Sequence, residues 1–184
     1  MRCEVHTATG LLIGARQVLS PHCDDRPPAG IPELLVLHGI SLPPGEFGGP
    51  WIDKLFTGSL PPTAHPYFAQ IAEARVSAHV LIRRDGELVQ YVPFDRRAWH
   101  AGASQFEGRL ACNDFSVGIE FEGADDCPYE EAQYIAAAGL LRALLRAYPS
   151  LAAQRVVGHS DIAPGRKTDP GEAFDWARMR ALLA

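Results

Sequence analysis

Leu34-Leu35-Val36-Leu37 is an uninterrupted apolar run that ends at His38, the pattern of a strand buried on both faces that delivers a functional side chain. Phe115 to Glu122 alternates instead, with Val117, Ile119 and Phe121 on one face and Gly118, Glu120 and Glu122 on the other. Two β-rich runs, 75–83 and 88–92, flank Asp85-Gly86, and Asp-Gly in that setting predicts a hairpin closed by a type I′ turn. Tyr134, Ala138, Leu141, Leu145 and Tyr148 recur at helical spacing, with Pro128 suited to the first helical position and Pro149 stopping the run. A shorter helix is expected over 66–74, and a short strand at Val156-Val157 delivers His159. Asp175 is expected to cap a C-terminal helix from Trp176 to about Leu183. Residues 1–30 read as an irregular segment with one strand at about 11–18. Residues 41–66 carry nine Pro and Gly residues from Pro43 to Pro62, which predicts a long loop over the site with at most a short helix near Trp51 to Phe56.

This order of elements predicts an α/β fold: one domain spanning 1–184, with a central mixed β-sheet flanked by helices. A chain of 184 residues suffices for one well-buried core, and no linker-like stretch divides it. The net charge of -5, without a clustered Lys/Arg run, argues against a nucleic-acid partner. No stretch approaches a membrane span, and the first residues show no signal-peptide core. Cys3, Cys23, Cys112 and Cys127 have neither Cys-x-x-Cys spacing nor scaffold density, so reduced thiols in a cytoplasmic protein are expected. No obligate protein partner is indicated.

His159, Lys167 and Asp169 share one short segment after the Val156-Val157 strand. An imidazole and a carboxylate are ligands for a borderline metal ion, and Lys167 can meet negative charge developing on a reacting oxygen. If the strand ending at His38 lies beside the one delivering His159, then His38, His159 and Asp169 make a three-ligand set. With its fourth position open, such a set is the arrangement of catalytic zinc, one ion per chain. Glu120 is the proton acceptor best placed by pattern, beside Gly118, whose missing side chain leaves room for water or substrate. A solvated acidic face on an edge strand would produce the same alternation. His79 and His100 compete as ligands, although His79 falls inside a strand, where a satisfied buried imidazole is expected. Cys112 has no partner at metal spacing and reads as packing.

Leu34 to His38, Ser41-Leu42-Pro43-Pro44-Gly45-Glu46-Phe47-Gly48, Val76-Ser77-Ala78-His79, Arg97-Ala98-Trp99-His100-Ala101-Gly102, Cys112 to Glu120 and Gly158 to Gly171 together resemble the AmpD-type N-acetylmuramoyl-L-alanine amidases. This amidase type 2 family is related to phage T7 lysozyme and the peptidoglycan recognition proteins, and the likeness runs in order from about residue 10 to the end. The resemblance implies a zinc site in a surface groove, held by His38, His159 and Asp169, with Glu120 activating water and Lys167 stabilising the transition state. It also implies a small-molecule muropeptide substrate, cut between the lactyl group of (1,6-anhydro) N-acetylmuramic acid and L-alanine in cytoplasmic peptidoglycan recycling. Relatives that lose a metal ligand bind muropeptides without cutting, so a non-catalytic recognition module is the alternative. Trp99 and His100 are expected on the sugar side of the groove, and Arg75 and Arg109 are candidates for the peptide carboxylates. Where the family carries Asn after its first zinc histidine, this chain has Gly39, so restoring Asn there is expected to lower KM.

Overall fold

The computed structural model describes residues 3–28 and 30–183, which leaves outside it the first two residues of the stretch read for a signal peptide. Twelve strands are present among the described residues: β1 Glu4–His6, β2 Leu11–Ile13, β3 Arg16–Gln17, β4 Cys23–Asp25, β5 Leu34–Ile40, β6 Val80–Ile82, β7 Leu88–Gln90, β8 Arg96–Ala98, β9 Gln105–Phe106, β10 Arg109–Leu110, β11 Ser116–Glu122 and β12 Val156–Gly158. The α-helices are α1 Trp51–Phe56, α2 Phe68–Ile71, α3 Glu131–Ala147, α4 His159–Ile162 and α5 Trp176–Leu183. Six strands form the central sheet in the order β12-β5-β11-β6-β7-β3. The pairs β12·β5, β5·β11, β11·β6 and β7·β3 are parallel, and β6·β7 is antiparallel, so the sheet is mixed as its pattern predicts.

The two strands with the clearest apolar patterns, β5 and β11, pair directly and lie second and third in the sheet. Leu35 and Leu37 of β5 share one cluster with Val117, Ile119 and Phe121 of β11 and with Tyr134, Ala138 and Leu141 of α3. The opposite face of β11 is also covered: Glu120 is 8% exposed and Glu122 1%. The acidic face is therefore interior, and the edge-strand alternative for Glu120 does not hold. The Glu122 carboxylate accepts from Arg83 at 2.9 Å and from the Gly48 N–H at 2.7 Å, while Arg83 also donates to the Gly49 carbonyl at 2.9 Å. Truncation of such a buried pair leaves its partner uncompensated. One face of β11 thus carries Glu120 and, two residues on, the anchor of the 41–66 loop.

Several local expectations are corrected. Residues 3–28 contain four short strands rather than one: β1 and β2 pair with each other, β3 extends the main sheet, and β4 pairs with β8. The β6–β7 connection is not type I′. The Gly86 N–H reaches the Arg83 carbonyl at 2.9 Å and the Arg83 N–H reaches the Glu87 carbonyl at 2.9 Å, with a positive φ (+87°) at Gly86 but not at Asp85. This is the type I turn plus left-handed glycine of a bulged hairpin. Pro128 precedes α3 instead of opening it. Glu130 is the N-cap, and its N–H donates to Gln133 Oε1 at 3.0 Å. Buried Gln133 also donates to the Ile82 and Glu122 carbonyls at 3.1 and 3.0 Å, tying the helix start to the end of the sheet. Asp175 caps α5 as expected, accepting from the Arg178 N–H at 2.9 Å.

Candidate metal centre and substrate groove

Parallel pairing places both histidines at the same end of the sheet. β12 pairs with β5 through Gly158↔Leu37, so His38 and His159 follow side by side, and Glu120 pairs with His38 across β5·β11. The loop after α4 turns back so that the Asp169 carbonyl accepts from the Ser160 N–H at 3.0 Å, which brings the Asp169 carboxylate to the two rings. His38 Nδ1, His159 Nδ1 and Asp169 Oδ2 lie 3.0 Å apart along every edge of the triangle they form.

The hydrogen bonds at the far side of each ring assign the protons. His159 Nε2 lies 3.2 Å from the Ala101 carbonyl and must donate to it, which leaves Nδ1 unprotonated in the neutral ring. Burial holds the His38 pKa below its ordinary value, which favours the neutral ring. Burial alone would raise the Asp169 pKa, but the adjacent imidazoles of His159 and then His38 outweigh it and leave the group ionised. Once both Nδ1 atoms are acceptors, three lone-pair donors face one another without a proton between them. A cation resolves that juxtaposition, and donor spacings near 3 Å suit an ion about 2.0–2.2 Å from each ligand. Among the described residues His38, His159 and Asp169 form the one cluster with this capacity.

Glu120 stands beside this triangle with Oε2 lacking any hydrogen-bond partner. Burial first, and then the Asp169 charge, push its pKa well above the ordinary carboxylate value, while Lys167 pulls in the opposite direction. A buried carboxyl so displaced is poised to take and return a proton at moderate pH. Lys167 is exposed and lines the same groove of about 410 Å³ as His38, Glu120, His159 and Asp169. Ser41, Pro44, Leu55 and Phe56, all from the 41–66 segment, form another wall of this groove.

Trp99 also lines the groove, with its indole fixed from behind. Nε1 donates to Asp24 Oδ1 at 3.1 Å, and the ring stacks on His22 with centroids 6.2 Å apart and planes at 10°. Arg97 clamps the same Asp24 carboxylate and, with a smaller contribution from Trp99, lowers its pKa to about 2. Asp24 and His22 were missed because the first thirty residues carry no motif, and their role depends on the β4·β8 pairing with a strand 71 to 75 residues away. His79 is not a ligand: it is fully buried, accepts from the Gly118 N–H at 3.0 Å and contacts the Arg96 carbonyl at 3.1 Å. Cys112 is buried and unpaired, as its packing role requires.

Three expectations about substrate contacts change. Arg109 is committed elsewhere: it donates to Glu33 at 2.8 Å, with its guanidinium 3.9 Å over the Phe115 ring, and it does not line the groove. Arg75 is exposed and is likewise not brought into the groove lining. The space above Gly118 holds neither water nor substrate, because the His100 ring fills it and a Cβ there would lie 2.4 Å from His100 Cγ.

Gly39 lines the groove, but a Cβ at this position would meet Tyr129 Oη at 2.3 Å, with the next atoms 3.5 Å away. That hydroxyl donates to the Pro170 carbonyl at 2.8 Å, directly after Asp169. Gly39→Asn is therefore expected to push Tyr129 off Pro170 and to lower stability by about 1 kcal/mol or more, a cost separate from its effect on KM. Because the hydroxyl oxygen alone obstructs, Tyr129→Phe should relieve the clash. Thermal melts of both single variants and the double variant should show the double variant losing less than the sum of the two.

The comparisons with known proteins agree with this geometry. Residues 28–172 match the family described as N-acetylmuramoyl-L-alanine amidase. The 1,6-anhydro-N-acetylmuramyl-L-alanine amidase AmpD of Escherichia coli K12 is 65% identical over 175 residues, covering 95% of each chain. A crystal structure of an AmpD selenomethionine derivative superposes with a TM-score of 0.93 at 63% identity, covering 96% of this chain and 98% of that one. AmiD from E. coli, solved with the substrate anhydro-N-acetylmuramic acid-L-Ala-D-γ-Glu-L-Lys, gives a TM-score of 0.61 at 27% identity over 85% of this chain and 60% of that one.

Proposed function

The chain belongs to the N-acetylmuramoyl-L-alanine amidase family, and on that premise we propose that it is a zinc-dependent hydrolase of peptidoglycan recycling. It cuts the amide between the lactyl group of N-acetylmuramic acid, in its 1,6-anhydro form, and the L-alanine of the attached peptide. The observation that carries this reading is the triangle of ligand atoms at His38, His159 and Asp169, 3.0 Å apart, beside the unpartnered Glu120 Oε2. The complete ligand set supports an enzyme over a binding-only module.

A zinc ion held by His38, His159 and Asp169 supplies Lewis acidity, polarising a carbonyl and lowering the pKa of water to roughly 7. The protein's own side chains do the rest. Glu120, held in the sheet beside His38, takes the proton from attacking water through its free Oε2 and returns it to the departing alanine nitrogen. Lys167 meets the negative charge that develops on the carbonyl oxygen as the tetrahedral state forms. Trp99, locked by Asp24 and His22, offers a flat face to the sugar. The anhydro sugar has no C1 substituent, and the wall from Ser41 to Phe56 is where a larger C1 group would be refused.

Four unpaired cysteines, two of them buried, support action in a reducing compartment such as the cytoplasm. No described helix is long and apolar enough to cross a membrane. Mass spectrometry of the products from anhydro-N-acetylmuramyl-tripeptide tests the bond assignment. Intact tripeptide and free anhydro sugar are expected, whereas a shortened peptide still joined to sugar would mean a peptidase. Lys167→Ala should lower kcat by roughly 10² to 10³ with zinc content unchanged, as measured by steady-state kinetics beside metal analysis.

A further inference from the structure

His38 presents Nδ1 to the metal triangle, so its proton sits on Nε2 and needs an acceptor. The atom in reach is His100 Nδ1, at 2.9 Å. His100 Nε2 lies 3.0 Å from Ser116 Oγ, and the two imidazoles meet edge to face at 84° with centroids 5.0 Å apart. The protons then run in one direction: His38 Nε2–H donates to His100 Nδ1, and His100 Nε2–H donates to Ser116 Oγ.

The ring that receives this proton borders the groove but is held at its face and its far end. Its face rests on Gly118, where any side chain would collide with it, and Ser116, at its far end, is fully buried. The N–H groups of His100 and Ala101 both donate to Asn113 Oδ1, at 3.1 and 2.8 Å, fixing the backbone that carries the ring. Both ring nitrogens of His100 are thus spent on protein partners, which leaves none for sugar.

We propose that His100 is a positioning residue for the metal centre: with Ser116 behind it and Gly118 making room, it locks His38 in the tautomer and ring orientation that offer Nδ1 to the metal. The inference rests on the metal-dependent reading of the site. An acceptor on the outer N–H of a ligand imidazole raises that ligand's basicity and restricts its rotation, and loss of such a partner costs about 10- to 100-fold in metal affinity. His159 uses the Ala101 carbonyl for this purpose, which no side-chain substitution removes. His38 uses a side chain, so its partner can be tested.

The test is the zinc dissociation constant of the full-length protein, measured by competition with a chelator in the absence of substrate. His100→Phe keeps a ring of similar size and removes the acceptor. It should weaken zinc about 10- to 100-fold, while the zinc-saturated variant keeps its KM for anhydromuropeptide. His100→Asn places an acceptor oxygen near the former Nδ1 and should recover most of the lost affinity. Unchanged zinc affinity with a raised KM would make His100 a sugar contact and overturn the proposal, as would equal losses in the Phe and Asn variants, which would indicate packing alone. Should His100→Phe fail to fold, Ser116→Ala carries the same test: zinc affinity falls with KM unchanged, and unaltered affinity overturns the proposal. A wild-type protein that binds no zinc, or binds it without hydrolysing the amide, contradicts the amidase reading instead and is detected before any variant is made.

Discussion

Glu120→Gln is expected to lower kcat by roughly 10² to 10⁴, the usual contribution of a positioned general acid–base group, while zinc content stays near one per chain. Glutamine matches the shape of glutamate, so the backbone pairing with His38 and the adjoining groove persist. What disappears is the ability to take a proton from water and hand it to the departing nitrogen. Glu120 is 8% exposed and its Oε2 has no partner, so ionising this carboxyl is costly to the fold. A neutral amide removes that cost, and the metal-free variant should melt no lower than the parent. A fall in turnover without a fall in stability is the signature of a residue retained for chemistry. A kcat within about threefold of the parent would remove Glu120 from the mechanism.

His159→Ala is expected to have the largest effect of any single change: zinc retention falls to a small fraction and turnover drops below detection. His159 is 3% exposed and supplies one corner of the triangle, and its removal leaves one imidazole and one carboxylate, too few for a stable site. It also empties a buried ring site and removes one of the two donors to the Ala101 carbonyl, leaving Arg166 at 2.6 Å, so a lower melting temperature should accompany the loss. The variant's metal content after dialysis, measured beside the parent, checks this directly. Retention equal to that of the parent would show that the ion is bound elsewhere.

The parts of this site visible in the sequence are those that local pattern controls. The apolar run ending at His38 marks a central strand, and alternation along β11 assigns Glu120 to the face opposite Val117 and Ile119. Whether that face meets solvent is decided by β11 lying between β5 and β6, a pairing of residues far apart in the chain. Gly118 was visible as an open space, but not its occupant, because His100 arrives from a loop with no local sign of where its ring will point. Tyr129 sits just before α3 without periodic context, and its hydroxyl reaches across 41 residues to the Pro170 carbonyl. The short strands at the N-terminus escape notice because two or three residues carry too little period to register, and the partners of β3 and β4 lie more than seventy residues away. Arg109 had the right chemistry for a carboxylate but found Glu33 in its own protein.

The most direct test of the central claim is hydrolysis of anhydro-N-acetylmuramyl-tripeptide by the full-length protein before chelation, after chelation and after zinc is restored, with metal content measured at each stage. The predicted result is about one zinc per chain, release of intact tripeptide, loss of both on chelation, and recovery of both when zinc returns. Undiminished tripeptide release from protein stripped of metal would contradict it.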